Sequence, residues 1–171
     1  MIREGNAGQP IQVAAAAAVH ALVDRSETLA TAESLTGGLV AATIVEIPGV
    51  SSVYRGGLVV YATDLKHALA GVPEALLRER GPVDPDVAVA LAAGARERCA
   101  ADWGLATTGV AGPEPQDAKP VGLVYVAVAG PPGATVRELR LSGSRAEVRS
   151  AAGTSVLRLL TDQLRAAPAA V

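Results

Sequence analysis

Phenylalanine is absent from this chain, and tryptophan and tyrosine together contribute only Trp103, Tyr54, Tyr61 and Tyr125. So few aromatic faces exclude a platform for stacking bases. A formal net charge of −2 without any basic run excludes a sequence-independent nucleic-acid binder, which needs a clustered positive face. The single cysteine, Cys99, cannot close an internal disulfide; its surroundings, ARERCAADW, read as a helix face carrying a structural thiol. His20 and His67 lie far apart and give no metal-ligand spacing with that cysteine, which leaves carboxylate-only magnesium as an unsupported alternative; no metal and no cofactor are expected. No apolar run approaches the roughly 20 residues that span a bilayer. The opening MIREGNAGQP lacks the basic segment of a signal peptide. A cytoplasmic protein with no membrane partner is expected.

Lysine is the other scarce residue. Only Lys66 and Lys119 are lysines among the 15 basic side chains, and arginine serves elsewhere. Arginine cannot release its proton in a protein, whereas a desolvated lysine can, so a lysine kept in an arginine-preferring chain is a general-base candidate. What the chain has in plenty is apolar residues, 50% of 171, which suits one globular domain over 1–171. The ends, about 1–8 and 166–171, read as flexible.

Breakers and caps divide that domain into alternating strands and helices. Pro10 opens a helix over Ile11–Val23, Leu29–Ala32 reads as a short buried strand, and Thr36–Ile47 as a helix ended by Pro48 and Gly49. Leu58–Tyr61 reads as a second buried strand, followed by a short helix with Thr63 at its N-cap and Lys66 within it, closing near Gly71. Pro73 opens a further short helix that Gly81 stops, and Asp84-Pro85 starts one reaching about Asp102. Leu105–Thr108 and Leu123–Val128 read as strands separated by the loop GVAGPEPQDAKPVG, Thr135–Leu141 as an edge strand, and Ser144 as the cap of a helix from Arg145 to about Arg165. This order predicts an α/β fold, a three-layer α/β/α sandwich whose strand-end loops gather along one edge.

Three polar segments are expected to meet there: TAESLTGG with Ser34, the junction with Tyr61 and Lys66, and the loop after Thr108. Ser34 and Thr36 precede an apolar helical run, so each reads equally as an ordinary N-cap. The same position exposes a nucleophile at a strand's carboxyl end, where helix amides and the backbone at Gly37 and Gly38 can approach an anion. Glu33 reads either as a hydrogen-bond acceptor supporting the site or as a solvated residue. Tyr61 and Lys66 are one residue too far apart for the tyrosine-lysine pair of short-chain dehydrogenases, no GxGxxG accompanies them, and neither a P-loop nor a GxSxG elbow is present. Arg145 and Arg149 share a helix face, where they either grip a phosphate or stay solvated.

Taken together, TAESLTGG, PGVSSVYRGGLVVYATDLK, GVAGP and KPVG resemble the CinA C-terminal domain family, whose stand-alone members are nicotinamide-nucleotide amidases. The resemblance runs from about Thr28 to Leu164. It implies metal-free hydrolysis of nicotinamide mononucleotide to nicotinate mononucleotide and ammonia, with Ser34 as nucleophile, Lys66 as base and Tyr61 orienting or relaying. Amides around Thr36, Gly37 and Gly38 would stabilise the oxyanion; Thr108, Gly109 and Gly112 would line the nucleotide, and Arg145 would take its phosphate. The partner is then a small nucleotide, and so apolar a chain is expected to form a homo-oligomer.

Several positions depart from the family pattern. Leu35 stands where the family has cysteine, Ala62 and Thr63 replace a serine-asparagine pair, and Asp84 replaces a serine cap. Glu114, Pro115 and Gln116 replace an aspartate-glycine-glycine run. That last change motivates two further readings: a nucleotide-binding protein without turnover, or an amidase acting on a related pyridine or ribosyl amide. The pyrophosphatase-associated domain of full-length CinA has no counterpart in this sequence.

Overall fold

The structure, a computed structural model, describes residues 10–168. Its sheet has five strands in the order β2-β1-β3-β4-β5: β1 (Leu29–Glu33), β2 (Tyr54–Val59), β3 (Trp103–Gly109), β4 (Leu123–Gly130) and β5 (Gly133–Arg140). β1 runs parallel to both β2 and β3, whereas β4 is antiparallel to β3 and to β5, so the sheet is mixed. The expected α/β sandwich is what forms. Alternate residues of β4 enter opposite cores, as the two-residue period of a strand requires. Val124, Val126 and Val128 pack with α1 (Ile11–Arg25), α2 (Leu39–Val45) and α6 (Arg145–Ala166). Leu123, Tyr125 and Ala127 pack with α5 (Pro85–Arg98) on the other face. Two short helices, α3 (Thr63–Ala68) and α4 (Glu74–Arg80), complete the set.

Caps with a local signature form where expected. Asp84 accepts the amide of Asp86 at 2.8 Å, with Pro85 in the first turn of α5. Ser144 and Glu147 form a reciprocal capping box at the start of α6. The β2 expectation needs correction, because this strand begins at Tyr54 and is half-buried to exposed rather than buried. It is outermost in the sheet and has β1 as its one partner. α5 also stops at Arg98 rather than near Asp102. Thr63 does not cap α3; it is the first helical residue, and Ala62 holds the cap position without a side-chain bond.

Of the stretches expected to be flexible, 1–8 and 166–171, residues 1–8 and 169–171 lie outside the described residues, and Ala166 is the last residue of α6. Of the remaining tail, Ala167 and Pro168 are tied down, since Arg25 donates to their carbonyls at 3.2 and 2.9 Å. No helix among the described residues is long and apolar enough to cross a membrane.

Candidate active site

Three strands of parallel direction end at the same sheet edge, and the segment leaving each of them contributes to the site. After β1, the Ser34 amide still donates to Thr107 of β3 at 3.0 Å, and the chain then turns through Leu35–Gly38 before α2 begins. Gly37 and Gly38 adopt φ of 59° and 95°, a left-handed backbone that glycine enters without a Cβ clash. The helix expected from Thr36 therefore starts only at Leu39.

Glu33 explains how this turn is held. Its side chain is 1% exposed and folds back over the turn, accepting the amides of Gly38 and Val40 at 3.1 and 3.0 Å and that of Ala41 at 2.8 Å. It is a buried carboxylate cap on α2, not a solvated residue. Ser34 and Thr36 are thereby released from the capping role. Thr36 Oγ1 pairs with Thr107 Oγ1 at 2.8 Å, joining the turn to β3, and Ser34 Oγ faces Lys66.

Lys66 reaches this point from α3. Its Nζ is 3.0 Å from Ser34 Oγ, 2.7 Å from the Val60 carbonyl and 3.4 Å from the Tyr61 carbonyl. The side chain is 1% exposed, and burial lowers its pKa from the ordinary 10.5 to about 8. A neutral amine has two hydrogens and one lone pair. With the two carbonyls taking the hydrogens, the lone pair is left for the hydroxyl of Ser34. The other lysine, Lys119, pairs through its backbone with Gln116 in a turn of the loop after β3 and does not line the cavity beside Ser34.

That cavity, of about 120 Å³, is bordered by Ser34, Lys66 and Tyr61, by Thr108, Gly109 and Gly112 after β3, and by Arg145. The expected convergence of three loops is thus present. β5, parallel in direction to β3, adds a fourth segment by delivering the start of α6. Thr36, Gly37 and Gly38 lie behind the cavity rather than in its wall. The amides of Gly37 and Gly38 are already used, by the Ser34 carbonyl at 3.1 Å and by Glu33. Leu35 and Thr36 have backbone N–H groups with no hydrogen-bond partner among the described residues, and Leu35 borders the cavity.

Both arginines are bonded to protein oxygens, Arg149 part-buried and Arg145 exposed. Arg149 donates to the carbonyls of Leu35 and Thr36 at 3.0 and 2.7 Å, pinning the turn from behind. Arg145 donates to the Gly112 carbonyl and, at 2.7 Å, to the Tyr61 hydroxyl. Thr108 donates its hydroxyl to the Pro82 carbonyl at 2.6 Å, which brings Pro82 and Val83 into the cavity wall. Those two residues were not expected; the Gly81-Pro82 pair signals a break but not its destination. Glu114 and Gln116 also border the cavity, so the departure from the family pattern falls within reach of a ligand.

Residues 11–164 match the profile of the CinA C-terminal domain. The chain belongs to this family. A CinA-like protein of Frankia casuarinae is 50% identical over 147 residues, covering 86% of this chain and 34% of that protein. A CinA-like protein of Myxococcus xanthus is 41% identical over 157 residues, covering 91% and 37% respectively. The chain thus spans about a third of the length of these CinA-like relatives. Among solved structures, a CinA superfamily protein of Klebsiella pneumoniae superposes with a TM-score of 0.89 at 26% identity, covering 93% of this chain and 100% of that one. A competence/damage-inducible protein of Agrobacterium tumefaciens gives 0.86 at 34% identity, covering 92% and 97%.

Proposed function

We propose that the protein is a serine-lysine amidohydrolase that deamidates nicotinamide mononucleotide. The observation that supports this reading most strongly is the buried contact between Lys66 Nζ and Ser34 Oγ, with the pKa of the lysine lowered to about 8 by burial. The resemblance of the sequence motifs to the amidases of this family is what suggests the nicotinamide nucleotide as substrate.

In the proposed reaction, Ser34 Oγ attacks the carboxamide carbon while Lys66 Nζ takes the hydroxyl proton. The resulting oxyanion is stabilised by the unpaired amide of Leu35, which borders the cavity. The carbon–nitrogen bond then breaks as the Lys66 ammonium returns its proton to the departing nitrogen, which leaves as ammonia. Water attacks the remaining ester with Lys66 again as base, giving the carboxylate and restoring Ser34. Nothing in this sequence calls on a metal, because the lysine removes the proton and backbone amides meet the developing charge.

A second reading draws on Glu114 and Gln116 in the cavity wall. A carboxylate and a long amide at the mouth favour a hydroxyl-bearing group over a phosphate, and so favour a related pyridine or ribosyl amide. Ammonia release from the mononucleotide, with Ser34→Ala and Lys66→Ala beside the unaltered protein, tests the main reading. Turnover absent from both variants and unaffected by chelator supports it. Binding of the mononucleotide without ammonia release contradicts it.

A further inference from the structure

We infer that Arg145 is a positioning residue acting through Tyr61, and not the group that binds a substrate phosphate. This inference rests on the amidase reading of the same site. A guanidinium can only donate hydrogen bonds, so the 2.7 Å contact makes Tyr61 Oη the acceptor. The phenol's own hydrogen is consequently directed away from Arg145. Tyr61 borders the same cavity as Ser34 and Lys66, and that hydrogen is free to be donated to a bound ligand.

Tyr61 needs such a tether. Its side chain is 58% exposed, and an exposed tyrosine without a fixed partner samples several rotamers. Arg145 is itself fixed, through its second bond to the Gly112 carbonyl and through its place in the first turn of α6 behind the Ser144–Glu147 capping box. The other end of Tyr61 touches the lysine, because its carbonyl lies 3.4 Å from Lys66 Nζ, next to the Val60 carbonyl that accepts at 2.7 Å. A continuous set of contacts therefore runs from Arg145 to the Tyr61 hydroxyl, along that residue to its carbonyl, and through Lys66 to Ser34. A guanidinium that has turned two of its donors onto protein oxygens, in a cavity that the Glu114 carboxylate also borders, is poorly placed to be the main anion receptor.

The two roles separate when nicotinamide mononucleotide is compared with its dephosphorylated nucleoside. As a positioning residue, Arg145→Ala lowers kcat by about 10- to 100-fold on both amides alike. The ratio of their kcat/KM values stays unchanged. Tyr61→Phe produces a similar loss, the double variant costs little more than Tyr61→Phe alone, and Arg145→Lys restores part of kcat. A rise in KM confined to the mononucleotide, or losses that multiply in the double variant, overturns the inference while leaving the amidase reading intact. Ammonia release from neither amide by the unaltered protein overturns the amidase reading instead. Calorimetric binding then carries the test: Arg145→Ala should change the two dissociation constants by the same factor, and weakening of the mononucleotide alone overturns the positioning role. Circular dichroism of each variant confirms that the fold is retained.

Discussion

Lys66 Nζ lies 3.0 Å from Ser34 Oγ, and both side chains are buried, at 1% and 8% exposure. The pair is brought together from two different strand ends, and burial that strips water from the ammonium is what makes the lysine able to accept a proton near neutral pH.

Catalysis should therefore track the neutral form of Lys66. With its pKa lowered to about 8, kcat/KM is expected to rise about tenfold per pH unit below that value and to level off above it. A profile of ammonia release from pH 6 to pH 10 checks this. A flat profile across pH 8 contradicts the lysine as base.

The same burial has a stability cost of about 3 kcal/mol while Lys66 is charged, from the lowering of 10.5 to about 8. Below about pH 8 both folded and unfolded chains carry the proton and the cost is constant. Between about 8 and 10.5 the unfolded chain holds a proton that the folded chain has lost, so stability rises with pH. Lys66→Met should abolish turnover yet raise stability at pH 7 by about 1 to 3 kcal/mol, the lost bond to the Val60 carbonyl offsetting part of the gain. Urea unfolding at pH 7 and pH 10 should show that advantage shrinking at the higher pH.

Glu33 should be as sensitive as a residue in direct contact with the ligand. Glu33→Gln replaces one acceptor oxygen by a donor facing backbone N–H groups, and is expected to cost about 2 to 3 kcal/mol. Because the turn also carries Ser34, turnover should fall about tenfold or more in molecules that remain folded. Chemical unfolding together with steady-state kinetics measures both effects.

Gly94 offers a test of how Lys66 is held. Glycine to alanine within a helix ordinarily gains about 1 kcal/mol. Here a Cβ would overlap the Ala70 carbonyl oxygen, just beyond α3, where Val72 donates back to the Lys66 carbonyl at 3.1 Å. Gly94→Ala is therefore expected to destabilise by about 2 kcal/mol or more and to lower turnover by displacing α3. A thermal melt at or above that of the unaltered protein would contradict this packing.

Much of the architecture was legible because it is written locally. Asp84-Pro85 and the Ser144–Glu147 box set helix starts within four residues, and the apolar runs of β1, β3 and β4 mark strands buried on both faces. Ser34, Tyr61 and Lys66 were legible through the rarity of lysine and through the family motifs. What escaped depends on folding in three dimensions. The edge position of β2 is a matter of strand order, which periodicity does not encode. Glu33 acts as a cap only because Gly37 and Gly38 turn the chain back over its carboxylate. The partners Arg145 and Tyr61 are 84 residues apart, and Thr36 and Thr107 are 71 apart, so no local spacing announces either pair.

The central claim is that Ser34 becomes covalently acylated during turnover. Rapid quenching of the protein with nicotinamide mononucleotide, and then mass spectrometry of the peptide containing Ser34, tests it most directly. The account predicts an increment on Ser34 equal to the mononucleotide minus ammonia, absent from Ser34→Ala. Ammonia release that persists in Ser34→Ala, with no increment on this peptide in the unaltered protein, would contradict it.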